Sequence, residues 1–503
     1  MAPTPGTRRG THRRTARSLL AALALAATTT SGATATTAAA STATTDASAT
    51  AGVFAPAPPH NPYAGPDGTA TMHGDTGSSD TTPLAGPGAG TWHSERTALA
   101  SACPTVLVGA DGYPVALCTP LFGQVPTVRL LDPDDGSSLA ELALTKGSLL
   151  GGVYAYTDHQ DRLVVADGSR ALLRVGHHQD TDGSWRLTVD RRLSLTSAIP
   201  EGDAVTGLAP DWKGRVWFAT GNGVVGTADD TTGTVRTLTL PAGERVANSI
   251  STAPQGTAVT TTHATYLLTA GADGTPKITW RKPYDRGTAR KPGLLSWGSG
   301  STPTFFGPGT GTDYVAIVDN ADDAAHLEVY RTSDGADVCR VPVLRAAAGP
   351  ASENSPVGIG RSVFVAGTYG YPYPAVPEGA GDSVPASADF AGGLTRVDVR
   401  ADGTGCAPVW DNALRSAAVP KLSTGDGLLH TVLRDPLIPG TKGTSLLDPF
   451  RYAQIDPATG KVVRSKTVGV GSLFDTLQMA GTITTDGTFL QGTVTGVLRI
   501  TAE

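Results

Sequence analysis

The sequence predicts an all-β fold, a single β-propeller of eight four-stranded antiparallel blades whose ring is closed by strands from both ends of the chain. Three observations predict it. Short apolar runs, each ended by a Gly, Asp or Asn turn, recur as one four-run unit with a period of about 40–60 residues. Helical periodicity extends nowhere over more than two turns. The final unit holds three runs, and a spare run, "GTWHSERTALA", stands ahead of the first unit.

The N-terminal residues lie outside that pattern. Residues 1–17 carry five arginines (Arg8, Arg9, Arg13, Arg14, Arg17) and no acid. Ser18 then opens "SLLAALALAA", too short to span a bilayer, and small residues with the cleavage-type pattern Ala33-Thr34-Ala35 follow. This is the layout of a secretory signal peptide, residues 1–35. Residues 36–59 are almost wholly Ala, Thr, Ser, Gly and Pro. Such a segment has too little apolar side chain to offset the entropy of ordering, which predicts a disordered leader and places the propeller domain at 60–503. Removing residues 1–35 leaves 34 basic against 45 acidic residues, a net charge of −11. That acidity argues against nucleic acid or an anionic membrane as a partner. The expected protein is a secreted monomer whose ligand is a small molecule or a glycan. The segment "MHGDTGSSDTTP" (Met72–Pro83) precedes the ring; it either folds over the central mouth, bringing His73 and Asp75 to a ligand, or serves as a linker.

The repeat unit is clearest from Asp211 to Pro241. "RVWFAT", the turn "GNG" and "VVGTAD" make a hairpin; "DTTG" turns again, and "TVRTLTL" alternates polar and apolar residues like a strand with one wet face. A meander of this kind cannot bury both faces alone, so it needs copies of itself. The same grammar starts at Cys103, Gly151, Val205, Ala247, Ser301, Glu353, Val419 and Thr476. Eight blades follow, or seven if the first or second copy is divided wrongly. Pairing the spare run near Trp92–Leu99 with Val497–Thr501 completes the last blade and removes two free sheet edges.

Four cysteines are present. Cys103 and Cys118 flank the turn Gly109–Gly112 symmetrically, which places them opposite each other on a hairpin and predicts a disulfide with Cα atoms roughly 4.4–6.8 Å apart. Cys339 and Cys406 occupy matching places after turns and either pair or remain separate thiols. No CxxC spacing suggests zinc or thioredoxin-like chemistry.

The segment "GRVWFATGNGVVGTADDTTGTVRTLTLP" resembles a streptogramin-lyase blade, with its "VWF" strand and "TG-x-V" turn, and "YAQIDPATGKVV" resembles a quinoprotein-type blade. Across residues 100–500 the organisation is similar to propellers of the streptogramin-lyase, quinoprotein-like and lactonase types. The resemblance implies the architecture and says little about chemistry, because these motifs build repeats. The quinoprotein dehydrogenases' vicinal cysteine pair does not occur here, and HExxH, GxSxG, P-loop and Rossmann signatures are missing from the sequence.

In a four-stranded blade the innermost strand begins at one face, and the loop between the second and third strands returns to that face. Candidate site residues therefore lie at those places. Asn248 and Asn354, each followed by Ser, share one position ahead of an innermost strand, with Glu353 beside Asn354; Lys421 and Asp475 hold comparable places. Returning loops carry His263, Asn320, Tyr369 and Tyr371. His263 and Glu353 are the candidate catalytic acid–base groups, and Asn248, Asn354, Asn320, Tyr369 and Tyr371 the ligand contacts. Lys282 opens a basic, aromatic loop, "KPYDRGTARKPG", suited to a carboxylated or glycan ligand. No cofactor is called for; a central divalent cation is compatible with Glu353, Asn248, Asn354 and Asn320 as ligands, and a metal site is otherwise unassigned. The loop from Tyr369 to Phe390 exceeds the usual length and is a lid candidate. The expected function is binding of a polar small molecule or glycan at the central mouth, with lyase or hydrolase activity; the alternative is a non-catalytic extracellular interaction or structural propeller.

Overall fold

The computed structural model describes residues 54–147, 154–347 and 349–503. They form eight antiparallel sheets arranged as a β-propeller. Blade 1 runs from Ser101–Val108, its innermost strand, outward to Ser138–Ala143; the innermost strands of blades 2 to 8 are Ala155–Thr157, Val205–Pro210, Ser251–Ala253, Thr304–Phe306, Val357–Ile359, Lys421–Ser423 and Thr482–Ile483. The expected signal peptide and most of the expected leader fall outside the described residues. No helix among the described residues is long and apolar enough to cross a membrane.

The repeat at Asp211–Pro241 shows why the sequence takes this form. In Val216–Thr220, Val216 and Phe218 pack with Tyr156, Val164 and Leu172 of blade 2, whereas Trp217 and Ala219 pack with Val259, Tyr266 and Leu268 of blade 4. Side chains alternate across a strand, so a middle strand held between two neighbouring blades must be apolar on both faces. The outermost strand Thr234–Thr239 has no such requirement and consists of exposed and half-buried positions only. Each interblade seam is one apolar cluster of this kind, and the ring is a chain of such seams.

Closure occurs as the missing fourth run of the eighth unit requires. Trp92–Ala98 pairs antiparallel with Gly496–Ala502, from Trp92 opposite Ala502 to Ala98 opposite Gly496. Both cysteine pairs are bonded. Cys103 and Cys118 join adjacent strands of blade 1 with Cα atoms 4.0 Å apart, closer than the expected range; Cys103 sits where the strand register shifts between Ala102 and Thr105. Cys339 and Cys406 link the outermost strands of blades 5 and 6. Two disulfides point to an oxidising environment.

The N-terminal segment departs from expectation. The last residues of the expected leader, from Phe54 on, are among the described ones: Phe54 is buried against Phe364 in blade 6, ring centroids 6.0 Å apart. This aromatic supplies the apolar area that the surrounding Ala, Thr and Pro residues lack. Residues 69–82 then fill the central channel, neither covering the mouth nor linking domains. Backbone N–H groups of Val108, Thr157, Thr252, Phe305, Gly358 and Leu422, on six different innermost strands, donate to carbonyls of Thr69, Ala70, Thr76, Gly77, Ser79 and Asp80 at 2.6–3.3 Å. Thr81 and Thr82 continue as a short parallel strand beside Leu422 and Ser423. An innermost strand has one unpaired edge facing the axis, and an axial segment satisfies those donors away from water. Gly74 turns within this plug at φ 90°, where a Cβ would lie 2.5 Å from the Thr81 carbonyl oxygen.

Candidate functional site

The plug decides what the mouth can be. His73 Nδ1 lies 2.9 Å from Asp80 Oδ2, and Lys421 Nζ donates to Asp80 Oδ1 at 3.2 Å and to the Met72 carbonyl at 3.2 Å. Asp80 and Lys421 are completely buried, and His73 nearly so. Asp75 accepts from the backbone N–H of Gly77 at 2.8 Å and from the Ser79 hydroxyl. Burial lifts its pKa to about 6, opposed by the Ser79 hydrogen bond. His73 and Asp75 are therefore packing partners inside the channel; their expected role as ligand contacts is corrected, because the segment fills the axis.

Above the plug, the predicted convergence of Asn248 and Glu353 is present, but as a closed network. Asn248 Nδ2 donates to Glu353 Oε1 at 2.9 Å and also to the Gly300 carbonyl, while Asn248 Oδ1 accepts from the Tyr154 hydroxyl at 3.0 Å. Leu295 N–H occupies Glu353 Oε2 at 2.9 Å. Burial pushes the Glu353 pKa up to about 7, against the opposing Asn248 and Leu295 hydrogen bonds. Asn354 does not join them: its Nδ2 donates to Gln478 Oε1 at 3.0 Å. The amides expected to be free for ligand are thus committed to groups of other blades, since a buried amide must find partners. Asn320 holds the Arg286 and Ala289 carbonyls at 2.9 and 3.1 Å, so the four proposed cation ligands do not share one site. Among the described residues no group of three or more His, Cys, Asp or Glu is arranged to hold a metal.

The long loop after Tyr369 crosses the mouth. The Tyr371 hydroxyl donates to Asp475 of blade 8, and Asp475 also meets Arg434 at 3.1 Å. Farther along, Arg290 Nε donates to the Gly381 carbonyl at 2.8 Å, Arg245 Nη2 reaches the Glu378 carbonyl at 3.3 Å, and Phe390 N–H is held by Thr444 Oγ1 at 2.7 Å. The loop thereby spans blades 4 to 8 and covers the Glu353 network. Tyr371 is buried, and burial together with the Asp475 charge drives its hydroxyl pKa well upward. Tyr369 is half-buried against Gly349. Tyr371 therefore offers no free hydroxyl to a ligand at the centre.

An open site exists beside the axis. A cavity of about 570 Å³ lies at the lead-ins to blades 3, 4 and 5 and is overhung by residues 377–381 of the long loop. His263, Arg245, Arg286, Trp297, Ser296 and Asn222 line it. The Arg286 guanidinium stacks over the Trp297 ring at 3.9 Å and donates from Nη1 to His263 Nε2 at 2.6 Å; Thr262 Oγ1 lies 2.9 Å from His263 Nδ1. Burial and the adjacent Arg286 charge lower the His263 pKa, which keeps the imidazole neutral, but its accepting nitrogen is already engaged. Arg245 is exposed at the rim. Lys282 is not here: it belongs to the outermost strand of blade 4 and pairs with Asp337 at 3.0 Å. The basic loop it opens does reach the site, through Arg286. Sequence reasoning missed Arg245 and Trp297, although both precede innermost strands, the position already searched; the search favoured acids and amides over an arginine and a tryptophan.

The described fold is similar to solved propellers. A quinohemoprotein alcohol dehydrogenase from Comamonas testosteroni matches with a TM-score of 0.50 at 11% identity, covering 91% of this chain and 82% of its own. A quinohemoprotein alcohol dehydrogenase from Pseudomonas putida HK5 matches with a TM-score of 0.51 at 11% identity, covering 86% and 80%. A streptogramin B lyase matches with a TM-score of 0.39 at 10% identity, covering 82% and 98%. At these identities the likeness is one of fold. No protein-family model and no curated protein matches this sequence.

Proposed function

We propose that this protein is a secreted, monomeric binding propeller that takes a carboxylate-bearing glycan or similar polar small molecule at its mouth face. One observation carries the reading: the open cavity beside the axis pairs an exposed aromatic, Trp297, with the guanidinium groups of Arg286 and Arg245. An indole surface suits the apolar face of a sugar ring, and guanidinium groups suit its carboxylate. Binding is favoured over turnover because both candidate acid–base groups are engaged. His263 Nε2 accepts from Arg286, and both Glu353 oxygens accept hydrogen bonds in a sealed network.

Calorimetric titration of the purified protein with uronic-acid-containing and neutral oligosaccharides tests this. Saturable binding of the acidic series is expected, abolished by Trp297→Ala and strongly weakened by Arg245→Ala, with the melting temperature of both variants near the parent value. Absence of binding to either series, or binding that survives both substitutions, overturns the reading.

A further inference from the structure

Three buried side-chain atoms without a hydrogen-bond partner among the described residues belong to the walls of the open cavity beside the axis: Asp203 Oδ2, Ser296 Oγ and Arg286 Nε. Asp203 is 7% exposed and Ser296 5%. A buried polar atom in a folded protein ordinarily has a partner, so an orphan in a cavity wall marks a place where a bound molecule supplies one.

Asp203 stands on the lead-in to the innermost strand of blade 3. Its Oδ1 accepts from the backbone N–H groups of Ala204 at 2.9 Å and Asn222 at 3.1 Å, which holds the carboxyl against the loop that follows Val216–Thr220. Its Oδ2 is left over. The arginines of the cavity do not take it. Arg245 Nη2 donates to the Glu378 carbonyl at 3.3 Å, Arg286 Nη1 to His263 Nε2 at 2.6 Å, and Arg286 Nη2 to the Trp297 carbonyl at 3.0 Å. A carboxylate oxygen accepts and does not donate, so its complement is a donor: an amine or a hydroxyl.

Charge decides between the two donors. The cavity lining holds two carboxylates, Asp203 and Glu378, and two guanidinium groups, Arg245 and Arg286, while His263 stays neutral. That lining is balanced, so a ligand bearing a carboxylate alone matches only half of it. In chain order Asp203 precedes the innermost strand of blade 3, Arg245 that of blade 4, and Arg286, Ser296 and Trp297 that of blade 5. From the orphaned Asp203 oxygen and this balance we infer that the cavity takes a zwitterionic saccharide, one with a free amine beside a uronic acid. The amine donates to Asp203 Oδ2, the carboxylate meets Arg245 and Arg286, and Ser296 Oγ meets a ring hydroxyl next to Trp297. The inference rests on the carboxylate reading of this cavity and adds the opposite charge to it.

Calorimetric titration of the full chain tests this with oligosaccharides of equal length: alternating uronate and N-acetylglucosamine, the same chain with its amines free, and glucosamine alone. The free-amine chain should bind roughly tenfold tighter than its acetylated counterpart, or better. Asp203→Asn keeps Oδ1 for Ala204 and Asn222 but removes the charge. It should abolish that preference, with a melting temperature close to the parent value. Equal affinity of the parent protein for the free-amine and acetylated chains overturns the inference and leaves the carboxylate reading standing, and this comparison needs no variant. A preference that survives Asp203→Asn also overturns it, by assigning the amine to another group. Glucosamine alone binding as tightly as the free-amine chain, or no binding of any of them, overturns both the inference and the reading beneath it.

Discussion

Replacing Lys421 by Met probes the ion pair that ties the axial plug to blade 7. Lys421 and Asp80 are wholly buried, 3.2 Å apart, and Lys421 also donates to the Met72 carbonyl. Methionine approximates the stem's volume, so the lost term is mainly charge: Asp80 is left without its cation in a site that water does not reach. Removing one partner of a buried pair costs about 3–5 kcal/mol. For the roughly 440 described residues the unfolding entropy is near 0.9 kcal/mol/K, so that cost lowers the melting temperature by about 3–5 °C. Scanning calorimetry measures it. The double variant D80N/K421M removes both charges and should recover most of the loss, because the penalty is that of an unpaired carboxylate. A shift under about 1 °C for the single variant, or a double variant no more stable than the single one, would refute the argument. Either result would show that the channel is wet or that the plug is loosely held.

Two further predictions follow from the same physics. Glu353 has a pKa raised to about 7 by burial, above the ordinary value of 4.5, so the folded state holds its proton more tightly than the unfolded state. Its neutral form favours folding at low pH, and that contribution is lost as pH rises from about 4.5 through about 7; in E353Q the difference in melting temperature between pH 5 and pH 8 should narrow, and an unchanged difference would show that the carboxyl titrates normally. For the disulfides, loop closure over 67 residues at Cys339–Cys406 constrains the unfolded chain more than closure over 15 residues at Cys103–Cys118. The chain-entropy model gives about 4 against about 3 kcal/mol, so C339A/C406A should have the lower denaturant midpoint of the two paired variants.

Most of the ring was legible because its determinants are local. Turn residues and period-two alternation mark each strand of the repeat around Trp217 without reference to distant residues, and the missing last run of blade 8 called for Trp92–Ala98. The disulfide at Cys103–Cys118 was legible for the same reason, since a hairpin sets its own register. Cys339–Cys406 was not, because it joins neighbouring blades whose relative placement no local pattern specifies.

The site was legible in place rather than in kind. His263 and the basic loop carrying Arg286 do reach a pocket, and Asn248 and Glu353 do meet across blades. Whether such residues are free or satisfied depends on long-range partners: Gln478 for Asn354, Arg286 for His263, Leu295 for Glu353. The plug shows the limit most plainly. "MHGDTGSSDTTP" has no apolar periodicity to betray a buried segment, because its burial is driven by backbone hydrogen bonds to four blades and by the Lys421–Asp80 pair. The sequence by itself determined the repeat and the closure, both encoded over a few residues, while the eight sheets settled the blade count against seven. Only the tertiary structure decided what lies on the axis, since that rests on donors and charges brought together from hundreds of residues apart.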